Sequence, residues 1–354
     1  MAASHMRIVL LGKTGTGKSS LANTILGESV FEIHDTADSG TTVCQTETRE
    51  VHGRTLTVTD TPGFFDSKKS EEKMKPEIVK CITECSPGPH AFLILLKVER
   101  FTVQENEVIS KIEESFSEEA FKHAVVVFTH GEQLPDGMKI EEFVGENEKL
   151  CDLLEKCGGR CHVVDNKYWK NNQQDEYRNN QVQVEALLNT IDRMIEANGG
   201  GYYTNEMLQE VERKIQEEEE RIRQTAGNMS EKEIREQAKS KVGGVLKKIA
   251  GVSTGMLLGA LLGVGAVVAV VVSALVGITM ATGPGGAAAA APVALKVALI
   301  GGAIAAVPGA VVGGCIGYEE AEKADSVGEA VKNTAEALRK AVNPFKQIAK
   351  QIKE

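Results

Sequence analysis

The sequence predicts an α/β domain followed by an all-helical region that ends in a long apolar, glycine-rich stretch, and three observations carry that reading. Short apolar runs of strand length at 8–11, 56–58, 124–128 and 161–164 each stop at a polar, glycine- or acid-bearing segment. Between the first run and a helical pattern over 20–26 stands Gly12-Lys13-Thr14-Gly15-Thr16-Gly17-Lys18-Ser19. Past residue 201 the strand-like runs cease, and most residues from 251 to 317 are Gly, Ala, Val, Leu, Ile or Met.

The first run and its motif read as strand, phosphate loop, helix. Glycines let the backbone curl so that successive N–H groups face phosphate oxygens. Lys18 reaches the outer phosphates, and Ser19, with Ser20 beside it, opens the helix and offers a hydroxyl to magnesium. The positive end of that helix adds to the anion site. Motif, spacing and flanking elements together predict a nucleoside triphosphate ligand.

The second run ends in Asp60-Thr61-Pro62-Gly63. An acid at a strand end suits the outer coordination of magnesium. Gly63 offers an N–H to the terminal phosphate, so the loop after it can sense that phosphate. Ser39-Gly40-Thr41-Thr42-Val43-Cys44 lies between helix and strand, where a loop can fold over the phosphates. Thr41, with Thr42 next, is the expected hydroxyl ligand to the metal; the alternative is an ordinary Ser/Thr loop.

The third run leads into Thr129-His130-Gly131-Glu132. Glu132 can accept from the two donors on guanine's edge, a pair that adenine lacks, and His130 can lie along the base. After the fourth run, Asp165-Asn166-Lys167 puts Asn166 where it can close the other side of the base. The expected ligands are therefore GTP or GDP with Mg2+. Gly12 through Ser20, Gly63, Thr129, His130, Glu132 and Asn166 would hold the nucleotide, with Ser19, Thr41 and Asp60 on the metal.

These segments resemble the GIMAP family (GTPases of immunity-associated protein type), relatives of septins and of the chloroplast Toc receptors. The likeness covers roughly residues 7–198 and rests on RIVLLGKTGTGKSS, NTILG, the Thr-Val-Cys-Gln segment at 42–45, DTPGFFD and Val98-Glu99-Arg100-Phe101-Thr102. It implies a mostly parallel six-stranded GTP-binding domain that pairs with a second copy across the nucleotide face. The block at 98–102 is similar to one the family places between the fourth strand and the following helix, at the dimer face. Arg100 is accordingly the candidate catalytic cation, acting with Thr41, and a plain surface arginine is the alternative; Glu99 departs from the glycine often found there. Phe64 follows Gly63 where Ras-like GTPases carry a water-orienting glutamine, so slow turnover is expected unless a partner supplies the missing groups. Glu132 replaces the usual aspartate with a longer acid able to make the same bonds.

The chain has 354 residues, 42% hydrophobic and 5% aromatic, which allows one sizeable core plus an appended region. A net charge of −10 argues against a nucleic-acid partner. Met1-Ala2-Ala3-Ser4-His5 reads as a cloning scar, with Met6 the native start or a junction, and the absence of an evident signal peptide suggests an intracellular protein. Seven scattered cysteines fit a reducing compartment. Cys157, Cys161 and His162 do not read as a zinc site, because no second ligand pair stands at a metal-site spacing.

From Asn198-Gly199-Gly200-Gly201 onward the character changes. A charged helix over 207–223 carries a thin apolar stripe of Leu208, Val211, Ile215 and Ile222. It fits packing against the first domain, pairing as a short coiled coil, or a solvated connector. A second charged helix over 230–248 is capped by Ser230. The apolar stretch divides into 252–281 and 293–316 at Gly283-Pro284-Gly285-Gly286, and each half is long enough to cross a bilayer as a helix. Gly255, Gly259 and Gly263, and again Gly309, Gly313 and Gly317, are spaced for close helix approach. A membrane hairpin with both ends in the cytosol follows, with Lys241, Lys247 and Lys248 before it and Lys296 snorkelling from one end. The alternative is a hairpin buried in a soluble assembly. The tail mixes apolar residues with lysines and suits a helix on an anionic membrane surface or a packed terminal helix.

The expected organisation is a scar at 1–5, a GTP-binding domain at 6–201, a charged helical extension at 202–250, the hairpin at 251–318 and a basic tail helix at 319–354. The expected function is a GTP-dependent switch or scaffold that pairs with itself and binds lipid on the cytoplasmic face of an intracellular membrane, or cycles there from the cytosol. Hydrolysis would be slow and stimulated by dimerisation; the alternatives are a non-hydrolysing structural scaffold and a membrane-damaging effector whose hairpin is released by nucleotide.

Overall fold

The computed structural model describes residues 5–33, 43–65, 70–169, 175–225, 227–249 and 252–282. Thr41 and Thr42, the second half of the apolar stretch with Lys296, and the basic tail lie outside the described residues. The chain divides into two units, Met1–Glu212 and Arg213–Glu354.

In the first unit, β1 (His5–Gly12), β2 (Gln45–Val51), β3 (Arg54–Asp60), β4 (Ala91–Lys97), β5 (Ala124–Thr129) and β6 (Cys161–Val163) form one sheet in the order β2-β3-β1-β4-β5-β6. Only β2 runs antiparallel to its neighbour; the other pairings are parallel. The six-stranded, mostly parallel sheet expected from the sequence is therefore present. Its helices are α1 (Lys18–Leu26), α2 (Glu71–Cys85), α3 (Val103–Ser115), α4 (Glu118–Lys122), α5 (Ile140–Gly145), α6 (Glu148–Lys156) and α7 (Asn180–Ala197).

Strand periodicity decides which side chain goes to which face. Met6, Ile8 and Leu10 of β1, Leu93 and Leu95 of β4, and Val125 and Val127 of β5 join Leu21 and Ile25 of α1 and Leu187, Leu188 and Ile191 of α7 in one core. On the opposite face Phe92 meets Phe116 edge-on at 5.7 Å, Phe116 stacks on Phe121 at 4.9 Å, and Phe128 meets Phe143 edge-on at 6.1 Å. With both faces covered, β4 and β5 are buried along nearly their whole length, which is why they read as unbroken apolar runs. β2 has no such run, because it is an edge strand. Its Glu47, Arg49 and Glu50 discourage further strand pairing. Cross-strand hydroxyl bonds, Thr46 to Thr59 at 3.0 Å and Thr48 to Thr57 at 2.9 Å, help to hold it.

The helix α8 (Glu206–Thr225) begins in the first unit and ends in the second. Leu208, Val211, Ile215 and Ile222 are all buried within this single chain, so no second chain is needed to cover the stripe and the coiled-coil expectation is not supported. In the second unit the end of α8 runs antiparallel to α9 (Glu231–Lys247), tied by Arg235–Glu219 at 2.8 Å, Arg223–Glu231 at 2.6 Å and Lys241–Glu218 at 3.5 Å. Ser230 and Glu233 form the capping box that starts α9.

The first half of the apolar stretch departs from expectation. It forms two helices, α10 (Thr254–Leu261) and α11 (Gly265–Thr282), rather than one over 252–281. Among the described residues no single helix is long and apolar enough to cross a membrane, and α10 with α11 to residue 276 passes that test only as a pair bent by 109°. The cause is Gly263, which adopts φ +83°. Val264 donates its N–H to the Gly259 carbonyl at 2.8 Å and Gly263 donates to Ala260 at 3.3 Å, the paired bonds of a left-handed helix stop. The glycine expected to let helices approach instead ends one.

Candidate functional site

β1 lies between β3 and β4 and delivers the phosphate-loop motif to the C-terminal edge of the sheet. Gly15 and Gly17 take left-handed backbone torsions, φ +79° and +78°, which side-chain-bearing residues resist. Thr16 turns back to donate from its hydroxyl to the Lys13 carbonyl at 2.9 Å. Lys18 is almost wholly buried, its ammonium donating to the carbonyls of Gly12 at 3.3 Å and Lys13 at 3.0 Å, so it folds over the loop rather than into solvent. No side chain caps the start of α1, where the N-cap is Gly17. An anion complements a helix begun in that way.

Ser19 donates its hydroxyl hydrogen to Asp60 Oδ2 at 2.6 Å. The other carboxyl oxygen of Asp60, Oδ1, is buried without a hydrogen-bond partner. Burial pushes the Asp60 pKa up, against the lowering pull of the Ser19 hydroxyl, the Lys18 charge and the Thr61 N–H. An unpartnered buried carboxyl oxygen beside a hydroxyl fits a small divalent cation such as Mg2+, whose charge would offset that desolvation. Thr61 donates its hydroxyl to the Leu10 carbonyl at 2.6 Å and pins this segment to β1. Gly63 follows in a buried position, then half-buried Phe64.

Thr129 is fully buried and spends its hydroxyl on the Thr16 carbonyl at 2.8 Å, tethering the end of β5 to the phosphate loop. His130 adopts a left-handed conformation, φ +59°, and opens a 3-10 turn at Gly131–Gln133. Glu132 Oε1 lies 3.4 Å from His130 Nδ1 and accepts from Gln133 Nε2 at 3.2 Å, while Oε2 is buried without a partner. Asn166 accepts from the Thr24 hydroxyl at 3.0 Å, and its amide nitrogen stands 3.2 Å from where a Cβ on Gly17 would lie. Phosphate loop, Asp60, Thr129 and Asn166 are thus brought together. Asp60 and Glu132, the acids assigned from sequence to metal and base, each carry an unsatisfied buried oxygen. A cavity of about 630 Å³ opens beside Asn166 against α1 and the start of α7, a size that suits a small-molecule ligand.

Three residues had no role in the sequence reading. Lys97 ends β4, and its Nζ stands 4.0 Å from where a Cβ on Gly15 would lie, which brings a second ammonium to the phosphate loop. The available signal was a charge closing an apolar run at the C-terminal end of a parallel strand. Asp165 is buried and accepts main-chain N–H groups from Lys167 at 2.9 Å, from Tyr168, and from Glu132 at 3.4 Å, so it joins the loops that follow β5 and β6. Trp169 is buried against Gly131, and no local pattern announces that contact. Arg100, in contrast, is exposed and forms no ion pair among the described residues. Thr41 lies outside the described residues. Burial pushes the Cys157 and Cys161 thiols up to about 12.

The sequence profile of the AIG1 family matches residues 6–225. The chain is similar to GTPase IMAP family member 8 of Homo sapiens, 32% identical over 202 residues that span 57% of this chain and 29% of that protein. It is similar to immune-associated nucleotide-binding protein 8 of Arabidopsis thaliana, 38% identical over 223 residues, 60% of this chain and 61% of that one. The match therefore spans less than two thirds of either relative's length. Among solved structures it is similar to Toc33 of Arabidopsis thaliana in complex with GDP and Mg2+, at 21% identity and a TM-score of 0.42, covering 54% of this chain and 84% of that one.

Proposed function

The chain belongs to the AIG1 family, a group of GTP-binding proteins, and on that premise we propose that its first unit is a magnesium-dependent guanine-nucleotide switch that pairs with a second copy of itself. The observation that carries the proposal is the left-handed glycine loop between β1 and α1, followed by Ser19, whose hydroxyl bonds an Asp60 carboxylate with a second oxygen buried and unpartnered. In this reading the loop amides and Lys18 bind the phosphate tail, Lys97 adds positive charge beside Gly15, and Ser19 and Asp60 hold Mg2+ with Thr41. The metal supplies charge neutralisation on the phosphates. Gly63 reports the terminal phosphate, Glu132 accepts from guanine's donor edge, and His130 and Asn166 border the base.

Hydrolysis is slow in an isolated chain, because Phe64 cannot orient water. Exposed Arg100, followed by Val103 at 75% exposure, supports a loop that a second copy can meet, with Arg100 as the cation delivered across the dimer. The apolar content of α10 and α11 supports attachment to the cytoplasmic face of an intracellular membrane, by insertion of the bent pair rather than by one straight span. Carbonate extraction tests that part, since release of the protein into the supernatant excludes integral insertion.

The central test is gel filtration and GTP turnover of the full chain with GDP and with a non-hydrolysable GTP analogue. The analogue should produce a dimer, GDP a monomer, and turnover per site should rise with protein concentration. A rate that stays flat and near zero at every concentration replaces the switch with a non-hydrolysing scaffold.

A further inference from the structure

We propose that Trp169 is a positioning residue for purine recognition, its indole bracing the Gly131 turn so that Glu132 meets the donor edge of the base. The inference rests on the guanine-nucleotide reading above and deepens it.

Trp169 is the chain's one tryptophan and is 3% exposed. A Cβ on Gly131 would lie 2.5, 2.8 and 2.9 Å from three carbons of its ring, so the indole rests flush on glycine backbone where any larger residue would collide. Tyr177 packs near the ring, tilted at 6.4 Å between centroids, and the Tyr177 hydroxyl accepts the Ile140 N–H at 2.8 Å. The brace is therefore anchored to α5. On the turn itself, Gly131 donates to the Val164 carbonyl at 3.0 Å, and Glu132 donates its own N–H to Asp165 at 3.4 Å. The backbone leading into Glu132 is gripped by residues 164 to 169 through two hydrogen bonds and a ring.

Such a grip matters because glutamate has one more rotatable bond than the aspartate usual at this point. A longer side chain holds two hydrogen bonds to one base edge only if its backbone is fixed. The phosphate loop is held separately by β1, Lys18 and the Thr129 tether. Loss of the ring should therefore disturb base reading and spare the phosphate grip.

Equilibrium binding of GDP and of IDP, which lacks guanine's 2-amino donor, separates these effects in the full chain with Mg2+ present. Wild type should prefer GDP by roughly tenfold or more, the worth of a hydrogen bond to a carboxylate. Trp169→Ala and Gly131→Ala, which attack the contact from either side, should bring the ratio down toward that of Glu132→Ala, GDP weakening more than IDP because IDP offers Glu132 only the N1–H donor. Trp169→Phe should recover part of the preference. Equal weakening of GDP and IDP in Trp169→Ala or Gly131→Ala, with the ratio kept, makes the tryptophan a plain core residue and overturns the inference, as does an unchanged ratio in both. If Trp169→Ala does not fold, Gly131→Ala and Trp169→Phe decide the matter by the same ratio. A wild type that binds GDP no better than IDP defeats the guanine reading itself, which is a different result from a wild type that discriminates and variants that discriminate equally well.

Discussion

Two glycine-rich stretches, 12–17 and 255–263, put the same residue to opposite uses. In the first, Gly15 and Gly17 adopt left-handed torsions between a strand and a helix, start α1 and curl the amides into a cradle. In the second, Gly263 adopts the same kind of torsion and ends α10, turning the chain by 109° into α11. The difference teaches which sequence signals survive folding. The phosphate loop is specified by residue order and by the elements on both sides of it. The apolar run is specified only by a sum of hydropathy, which one backbone torsion can break.

Replacing Lys18 by Ala attacks the first use most directly. The ammonium makes charge-assisted bonds, and each bond to a charged group contributes about 1.5–3 kcal/mol, so guanine-nucleotide affinity should fall by about a hundredfold in equilibrium dialysis. Unchanged affinity would mean that the cradle grips no phosphate, and the contrast between the two stretches would disappear.

Asp60→Asn comes next. Magnesium should strengthen nucleotide binding to the wild type by roughly tenfold or more and do little for the variant. Because burial raises the Asp60 pKa, the wild type's magnesium effect should fade on acidification at a higher pH than an ordinary carboxylate would give, while the variant's profile stays flat. A magnesium effect that survives in Asp60→Asn would remove the metal from this carboxylate.

Acid offers a way to sharpen the comparison between the two units, since all seven histidines precede residue 163 and so belong to the first. His90 is pulled down to about 4 by burial and then by Arg7, and His162 to about 4 by burial and then by Arg193. The unfolded chain takes up these protons below about 6.5, whereas the fold refuses them until about 4. The first unit should be fully stable above that window and lose on the order of 1–2 kcal/mol across it, after discount for solvent screening. Urea midpoints at several pH values check this, and His90→Gln with His162→Gln should flatten the slope. A midpoint that rises as pH falls from neutral would contradict the burial of these rings.

The smallest effect is expected at Gly263→Ala. A side chain in a left-handed torsion costs about 1 kcal/mol, enough to lower the melting temperature by a few degrees. A rise would indicate that the chain gains by straightening α10 and α11 into one helix.

Much of the first unit was legible because buried parallel strands such as β5 announce themselves as apolar runs; β4, equally buried, was not among the runs read from the sequence. β2 was quiet, since an edge strand of alternating Thr, Glu and Arg has no buried face to betray it. At the site, Lys18, Ser19 and Asp60 could be assigned from local order. Lys97 was marked only by its place at the end of an apolar run and Trp169 by nothing local, because each acts across a sequence gap, one onto Gly15 and the other onto Gly131. The stripe on α8 was visible as a stripe, but what would cover it was not encoded locally.

One titration goes to the centre of the account. Calorimetry of the full chain with GDP and with ADP, each in Mg2+ and in EDTA, should give one saturable GDP site per chain, tighter with magnesium, and no comparable heat for ADP. Absence of heat with GDP, or equal affinity for the two nucleotides, would contradict it.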